Sequence, residues 1–269
     1  MAADAKVTTA TLRARKGSGE RIAVLTAYDV VFARLADEAG IDVVLVGDSL
    51  GMVVQGERST LAVTLDEMVY HSRIVSRGVR RAHLVADLPF MSYQVSVEDG
   101  MRAAGRLLKE GRAEAVKLEG GDEAAELIGR LVRAGIPVMG HVGMTPQSMH
   151  QLGGFKVQGR TDAQRAKILA DARAVTDAGA YAVVIEAVPH TLASEITAAV
   201  AVPTIGIGAG VDCDGQVMVM HDLLGLEPAW KPRFVRRYAE MGKAAGEAFA
   251  AYAADVRAGR FPAPQETYD

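Results

Sequence analysis

The sequence predicts an α/β chain folded as a (β/α)8 barrel, and three observations carry that expectation. About eight short apolar runs rich in Val and Ile alternate with stretches whose apolar residues recur at helical spacing. Several of these runs stop abruptly at a titratable residue followed by a loop-forming Gly, Ser or Pro, as parallel strands do where they enter the loops of a barrel mouth. The 269 residues match the ~250 of a typical single barrel, so one domain over 1–269 is expected.

Taken in order, residues 1–20 are polar, with a basic cluster at Arg13-Ala-Arg-Lys-Gly17, and predict an exposed lead-in or a short helix closing the barrel bottom. Arg21 to Ala27 is the first buried strand, and Phe32, Leu35, Ala36 and Ala39 then follow a helical period that Gly40 stops. Ile41 to Gly47 is the second strand; its Val43-Val-Leu-Val46 core suits burial on both faces before Asp48-Ser49. Thr64-Leu-Asp-Glu67 has the form of a capping box and starts a helix in which His71 reads as a surface or packing residue. Ala82 to Leu88 is the third strand, closed by Pro89, and Asp87 sits in its last residues.

A helix over Glu98 to Lys109 leads to the fourth strand, Ala113 to Glu119, where the period of two puts Ala115, Lys117 and Glu119 on one face. Asp122 to Arg133 reads as helix, and Ile136 to His141 as the fifth strand. Residues 143–160 show no clear period and are expected to be a long loop, either a lid at the mouth or mere decoration. Asp162 to Asp177 is helical, Tyr181 to Ile185 a strand with Glu186 at its end, and Pro189 to Val200 helical. Pro203 to Gly210 runs from a strand into a glycine-rich turn, and Gln216 to Met220 is the eighth strand, ending in His221-Asp222. Beyond the barrel, 233–269 predicts a C-terminal helical extension over Arg233 to Ala258 and then a tail.

Composition narrows the function classes. With 30 Lys and Arg against 33 Asp and Glu, the net charge of -3 offers no electrostatic footprint for nucleic acid, so a small-molecule partner is expected. The lone Cys213 forms no intramolecular disulfide, the N-terminus lacks the apolar core of a signal peptide, and no uncharged run is long enough to span a bilayer. A soluble cytoplasmic protein is the expectation.

Four carboxylates close strands: Asp48, Asp87, Glu119 and Glu186. Strands two, three and four are neighbours in a barrel and would gather the first three at one mouth, where they repel one another unless a cation intervenes. A hard divalent ion such as Mg²⁺ suits oxygen ligands and keeps positions open for substrate, whereas no His-rich or Cys-rich cluster argues for zinc. Asp48-Ser49 also suits a plain helix N-cap. Lys117 fits either a substrate carboxylate or enolate, or a salt bridge to a neighbouring acid; His141 fits either a substrate oxygen or a structural hydrogen bond. Glu186, across the mouth, is placed to act as a general base. Gly206, Gly208 and Gly210 fit backbone contact with a phosphate, close approach to a flat ligand, or barrel closure, but lack the dinucleotide-binding spacing.

Seven segments, Val46-Gly-Asp-Ser-Leu-Gly51, Ala86-Asp-Leu-Pro-Phe-Met-Ser92, Val116-Lys-Leu-Glu-Gly-Gly121, Gly140-His-Val-Gly-Met-Thr-Pro-Gln147, Leu152-Gly-Gly-Phe-Lys-Val-Gln-Gly-Arg160, Ile185-Glu-Ala-Val-Pro189 and Ile205-Gly-Ile-Gly-Ala-Gly210, together resemble the ketopantoate hydroxymethyltransferase family from about Thr26 to the region of Tyr238. The resemblance implies a barrel of the phosphoenolpyruvate/pyruvate superfamily type, Mg²⁺ dependence, a place in the pantothenate route to coenzyme A, and assembly as a homo-oligomer, often a decamer. It implies Asp48, Asp87 and Glu119 as metal ligands and Ser49 and Lys117 as contacts to the 2-oxo acid 3-methyl-2-oxobutanoate; Asp48, Asp87 and His141 are expected beside that acid as well. Glu186 would be the proton acceptor and 5,10-methylenetetrahydrofolate the one-carbon donor. Val211, where relatives often carry proline, departs from the pattern outside these positions. An isocitrate-lyase-like lyase would share the barrel and the acids, but the Lys-Lys-Cys-Gly-His segment of that family is missing. A non-catalytic 2-oxo-acid-binding barrel is the reading from another class; it would never exchange the C3 proton.

Overall fold

Alternation along the apolar runs sorts their side chains into an inner and an outer set, and in a closed barrel the inner set has to fill the interior. The computed structural model describes residues 5–227 and 232–268. Its strands are β1 (Ile22–Thr26), β2 (Val43–Val46), β3 (His83–Asp87), β4 (Ala115–Glu119), β5 (Val138–Gly143), β6 (Ala182–Glu186), β7 (Thr204–Ile207) and β8 (Gly215–Met218). They are parallel and close in sequence order, with β1 pairing β8. The inner set, including Val24, Val43, Leu45, Val85, Ala115, Met139, Val184, Ile205 and Val217, forms one buried cluster. Burial of each such large aliphatic side chain favours folding by about 1.5–3 kcal/mol.

Helices α1 (Thr9–Ala14), α2 (Val30–Glu38), α3 (Leu50–Val53), α4 (Leu65–Val75), α5 (Val97–Lys109), α6 (Ala125–Arg133), α7 (Met149–Leu152), α8 (Asp162–Asp177) and α9 (His190–Ala199) connect and surround the strands. Local chemistry starts several of them. Thr64 and Glu67 exchange the reciprocal bonds of a capping box before α4, Asp29 Oδ1 accepts the Val31 and Phe32 amides before α2, and Thr161 caps α8. Of the two forms expected for the lead-in, the short helix is present. Leu12 on α1 and Val7 before it join the core cluster, and Lys16 pairs with Asp214 at 2.9 Å next to β8.

The contacts divide the chain into two compact units, Met1–Val219 and Met220–Asp269. The second contains α10 (Met220–Leu224) and α11 (Met241–Arg257). Two expectations are corrected here. The eighth strand stops at Met218, and His221-Asp222 lie on α10. The C-terminal helix begins at Met241, not at Arg233, because the Tyr238 amide is committed to the Leu223 carbonyl at 2.8 Å and the Arg237 guanidinium reaches the Glu227 carbonyl, so 233–240 follows an irregular path. No helix among the described residues is long and apolar enough to cross a membrane.

Candidate active site

The register that fills the barrel also arms its mouth. Stepping by two from core residues along the inner face leads from Val85 to Asp87, from Ala115 through Lys117 to Glu119, from Met139 to His141, and from Val184 to Glu186. Asp87 pairs with Lys117 across β3 and β4, and Glu119 with His141 across β4 and β5. Asp48, Asp87, Lys117, Glu119 and His141 are all buried, at 2–7% exposure, while the Glu186 side chain keeps 18%. Five titratable groups are thus held almost out of water, an arrangement that costs stability unless the charges answer one another.

They do so in a chain. Lys117 Nζ lies 3.1 Å from Asp87 Oδ1 and 3.4 Å from His141 Nδ1, and His141 Nε2 lies 3.2 Å from Glu186 Oε2. Burial by itself would lower the Lys117 pKa, but Asp87, Glu119 and Asp48 outweigh it and hold the ammonium charged. Burial and that ammonium push His141 down, so a neutral imidazole accepts from Lys117 at Nδ1 and carries its proton on Nε2, towards Glu186. The contacts at Asp87 Oδ1 and His141 Nε2 are short but lack hydrogen-bond alignment, which leaves two buried polar atoms facing the mouth with capacity to spare.

Asp48 and Glu119 complete the cluster, with Glu119 Oε1 3.6 Å from His141 Nδ1. Burial, then the neighbouring Asp87, raises the Asp48 carboxyl to about 7, and burial, then Asp48, raises Glu119 well above the usual carboxylate range. Positive charge placed here would favour both ionised forms. Ser49 occupies the residue before α3, but its hydroxyl caps nothing; it meets the Tyr28 hydroxyl at 2.8 Å. Ser49 thus stands at the N-cap position of α3 without a side-chain cap bond.

Two residues that sequence reasoning passed over hold the acids in place. In the segment expected to be a structureless loop, Pro146–Ser148 forms a 3-10 turn followed by α7, and Gln147 is buried at 6% exposure. Its Nε2 donates to Asp48 Oδ2 at 2.8 Å and to the Leu88 carbonyl at 2.9 Å, and its backbone amide donates to Glu119 Oε2 at 3.0 Å. The Tyr93 hydroxyl lies 2.9 Å from Gln147 Oε1, 3.0 Å from the Glu119 carbonyl and 3.1 Å from the Glu119 amide. A single glutamine outside any periodic pattern carries no sequence signal of this kind; its place at the end of Gly140-His-Val-Gly-Met-Thr-Pro-Gln147 is the hint the sequence holds.

Among the described residues no three His, Cys, Asp or Glu side chains converge closely enough to enclose an ion. The donor chemistry nevertheless fits a hard divalent cation: all the acids offer oxygen, Asp87 Oδ1 is buried without an aligned donor, and Asp48 and Glu119 are short of positive charge. The glycine-rich turn after β7 is tied to β8 by Gln216 Nε2, which donates to the Gly210 carbonyl at 2.8 Å. His71, on α4, bonds the Tyr28 carbonyl through Nδ1 at 2.7 Å, a packing role.

Comparison with solved structures places the fold. A phosphonopyruvate hydrolase superposes with a TM-score of 0.63 at 14% identity, covering 97% of this chain and 91% of that one. A 2,3-dimethylmalate lyase of the PEP mutase/isocitrate lyase superfamily gives 0.61 at 19% identity, covering 96% and 92%. At such identities the likeness reaches the barrel alone. Sequence relatives go further: 3-methyl-2-oxobutanoate hydroxymethyltransferase of Syntrophotalea carbinolica is 57% identical over 253 residues, 94% of this chain and 95% of the relative. The protein of the same name from Moorella thermoacetica is 55% identical over 268 residues and covers both chains completely, at 100%. The family model for ketopantoate hydroxymethyltransferase matches residues 6–264, so the chain belongs to the ketopantoate hydroxymethyltransferase family.

Proposed function

We propose that this enzyme transfers a hydroxymethyl group from 5,10-methylenetetrahydrofolate to 3-methyl-2-oxobutanoate, giving 2-dehydropantoate for the pantothenate route to coenzyme A. The observation that carries the reading is the run Asp87, Lys117, His141, Glu186, buried in its first three members, which sets a fixed ammonium and a carboxylate on either side of one imidazole. That pairing suits removal of a proton next to a carbonyl and stabilisation of the oxyanion that results.

A divalent cation of the Mg²⁺ type, held by Asp48, Asp87 and Glu119, would withdraw electrons from the 2-oxo group and make the C3 proton more acidic. Ser49 donates its hydroxyl to the substrate carboxylate, and Lys117 gives that end of the substrate its counter-charge. Glu186 takes the C3 proton, and Lys117 meets the negative charge that moves onto the 2-oxo oxygen. His141, whose Nε2 lies 3.2 Å from Glu186 Oε2, keeps its positive ring edge beside that carboxylate and supports its charge. Water releases the one-carbon unit from N5 and N10 of the donor at the formaldehyde level, leaving tetrahydrofolate with the two protons of that water; C3 adds to the released carbonyl carbon, and its oxygen takes the proton held on Glu186. Family membership and the extra C-terminal helix support a homo-oligomer, a decamer in the family pattern, which sedimentation at working concentration tests, and the lone cysteine supports a cytoplasmic setting.

The deciding experiment follows 3-methyl-2-oxobutanoate by proton NMR in D₂O with enzyme and Mg²⁺, before and after EDTA. Loss of the C3–H signal that EDTA stops supports the mechanism. Retention of the signal under all conditions moves the chain towards a lyase or a binding protein and removes Glu186 from the role of base.

A further inference from the structure

A cavity of about 480 Å³ opens beside the acid cluster, walled on its inner side by Glu119, His141 and Gln147. Its size lies within the ~300–1,000 Å³ of small-molecule sites and exceeds what a branched 2-oxo acid needs. None of Asp48, Ser49, Lys117 or Glu186 lines it, so it is a second compartment next to the reacting groups and not the seat of the 2-oxo acid.

Its chemistry selects against anions. Glu119, Glu123, Glu126 and Asp171 face it and no Lys or Arg does, which leaves a carboxylate ligand without a counter-charge. A flat, neutral heterocycle with N–H donors on one edge is complementary instead. Phe90 and Tyr93 offer aromatic surface, and Leu127 and Ile168 apolar surface, for such a ring. Asp171 is the acceptor best prepared for its edge. Lys167 and the Asp122 amide both bind Oδ1, and Oδ2 takes no hydrogen bond among the described residues. The carboxylate is also fixed by the absence of a side chain at Gly121, where an added Cβ would stand 2.0 Å from Asp171 Oδ1.

Resting on the folate reading of the reaction, we infer that this cavity binds the pterin ring of the one-carbon donor, with Asp171 accepting from its amino and ring N–H edge. The carbon to be transferred then arrives one side chain away from the base, because His141 lies both in the cavity wall and 3.2 Å from Glu186.

Two variants test the assignment on the full chain with Mg²⁺. Asp171→Asn keeps the size and the acceptor for Asp122 but loses the charge; Ala124→Leu fills the cavity. Calorimetric binding of tetrahydrofolate is measured for each, together with KM for both substrates and the rate of C3–H exchange, which needs no folate. Tetrahydrofolate affinity at least tenfold weaker in both variants, a matching rise in KM for 5,10-methylenetetrahydrofolate and an unchanged KM for 3-methyl-2-oxobutanoate support the site. Wild-type binding retained by both variants, or equal loss of exchange and transfer, overturns it while leaving the donor intact. A wild-type enzyme that exchanges C3–H but neither binds tetrahydrofolate nor transfers overturns the donor reading itself, and the cavity assignment with it.

Discussion

Gln147 reaches across 99 residues of sequence to donate its side-chain amide to Asp48 Oδ2 at 2.8 Å, while its backbone amide holds Glu119 Oε2 at 3.0 Å. One residue thus fixes the spacing of two acids, one in the loop after β2 and one at the end of β4. Gln147→Ala removes the side-chain donor from a buried carboxylate and leaves the Leu88 carbonyl without it, so both groups lose orientation. Support groups of this kind are worth about 10- to 100-fold in activity or metal affinity. The expected result is a fall of that size in C3–H exchange with native far-UV circular dichroism, checked by NMR; unchanged exchange would mean that Asp48 holds its position without the side-chain donor.

Lys117 and Asp87 form a buried ion pair at 3.1 Å, with the side chains 7% and 5% exposed. Lys117→Met strands the Asp87 charge, and breaking one side of such a pair costs about 3–5 kcal/mol. Urea unfolding in EDTA measures it. The double variant Asp87→Asn/Lys117→Met is expected to recover most of the stability and none of the activity. A single variant as stable as the wild type would show that Asp87 is satisfied by something other than this ammonium.

These features were unequally visible in the sequence. Lys117 and Glu119 follow Ala115 at intervals of two, so the pattern that identified β4 as buried also fixed which way its charges point. The Thr64 capping box was equally plain, because its signal is complete within four residues. Gln147 and Tyr93 were not visible: each acts through contacts made only after the barrel has closed, and neither belongs to a periodic run. The start of α11 was misplaced for a related reason. Residues 233–240 have the composition of a helix, but a backbone bond from Tyr238 to Leu223, fifteen residues back in the chain, decides their path.

Glu114 offers a pH test away from the mouth. Burial raises its pKa, but hydrogen bonds from His83, Lys6 and the Leu84 amide prevail and bring it to about 2. A carboxyl whose folded pKa is depressed adds stability above its unfolded value, and that contribution is lost as pH falls from about 4.3 towards 2. The side chain is 37% exposed, so solvent screening limits the effect to about 1 kcal/mol. Glu114→Gln is expected to lower urea stability by that amount at pH 7 and to converge on the wild type near pH 2. A constant difference from pH 7 to pH 2 would assign the loss to packing and not to charge.

Gly143 closes β5 opposite Glu186, at φ 97°, and a Cβ there would lie 2.5 Å from the Glu186 carbonyl oxygen and 2.9 Å from Val188 Cγ1. Gly143→Ala therefore imposes two penalties: a left-handed conformation that an L-residue adopts at a cost of about 1 kcal/mol, and a collision that pushes on the backbone of the base. Gly135→Ala separates them, since Gly135 has φ 85° with nothing within 4 Å of an added Cβ. Both variants are expected to lose about 1 kcal/mol or more in urea unfolding, but only Gly143→Ala should also slow C3–H exchange, by about 10- to 100-fold, because a displacement near 1 Å at a reacting group has an effect of that order. Equal exchange rates in the two would mean that the strand end absorbs the collision without moving the carboxylate, and the tight pairing of β5 with β6 would then serve stability alone.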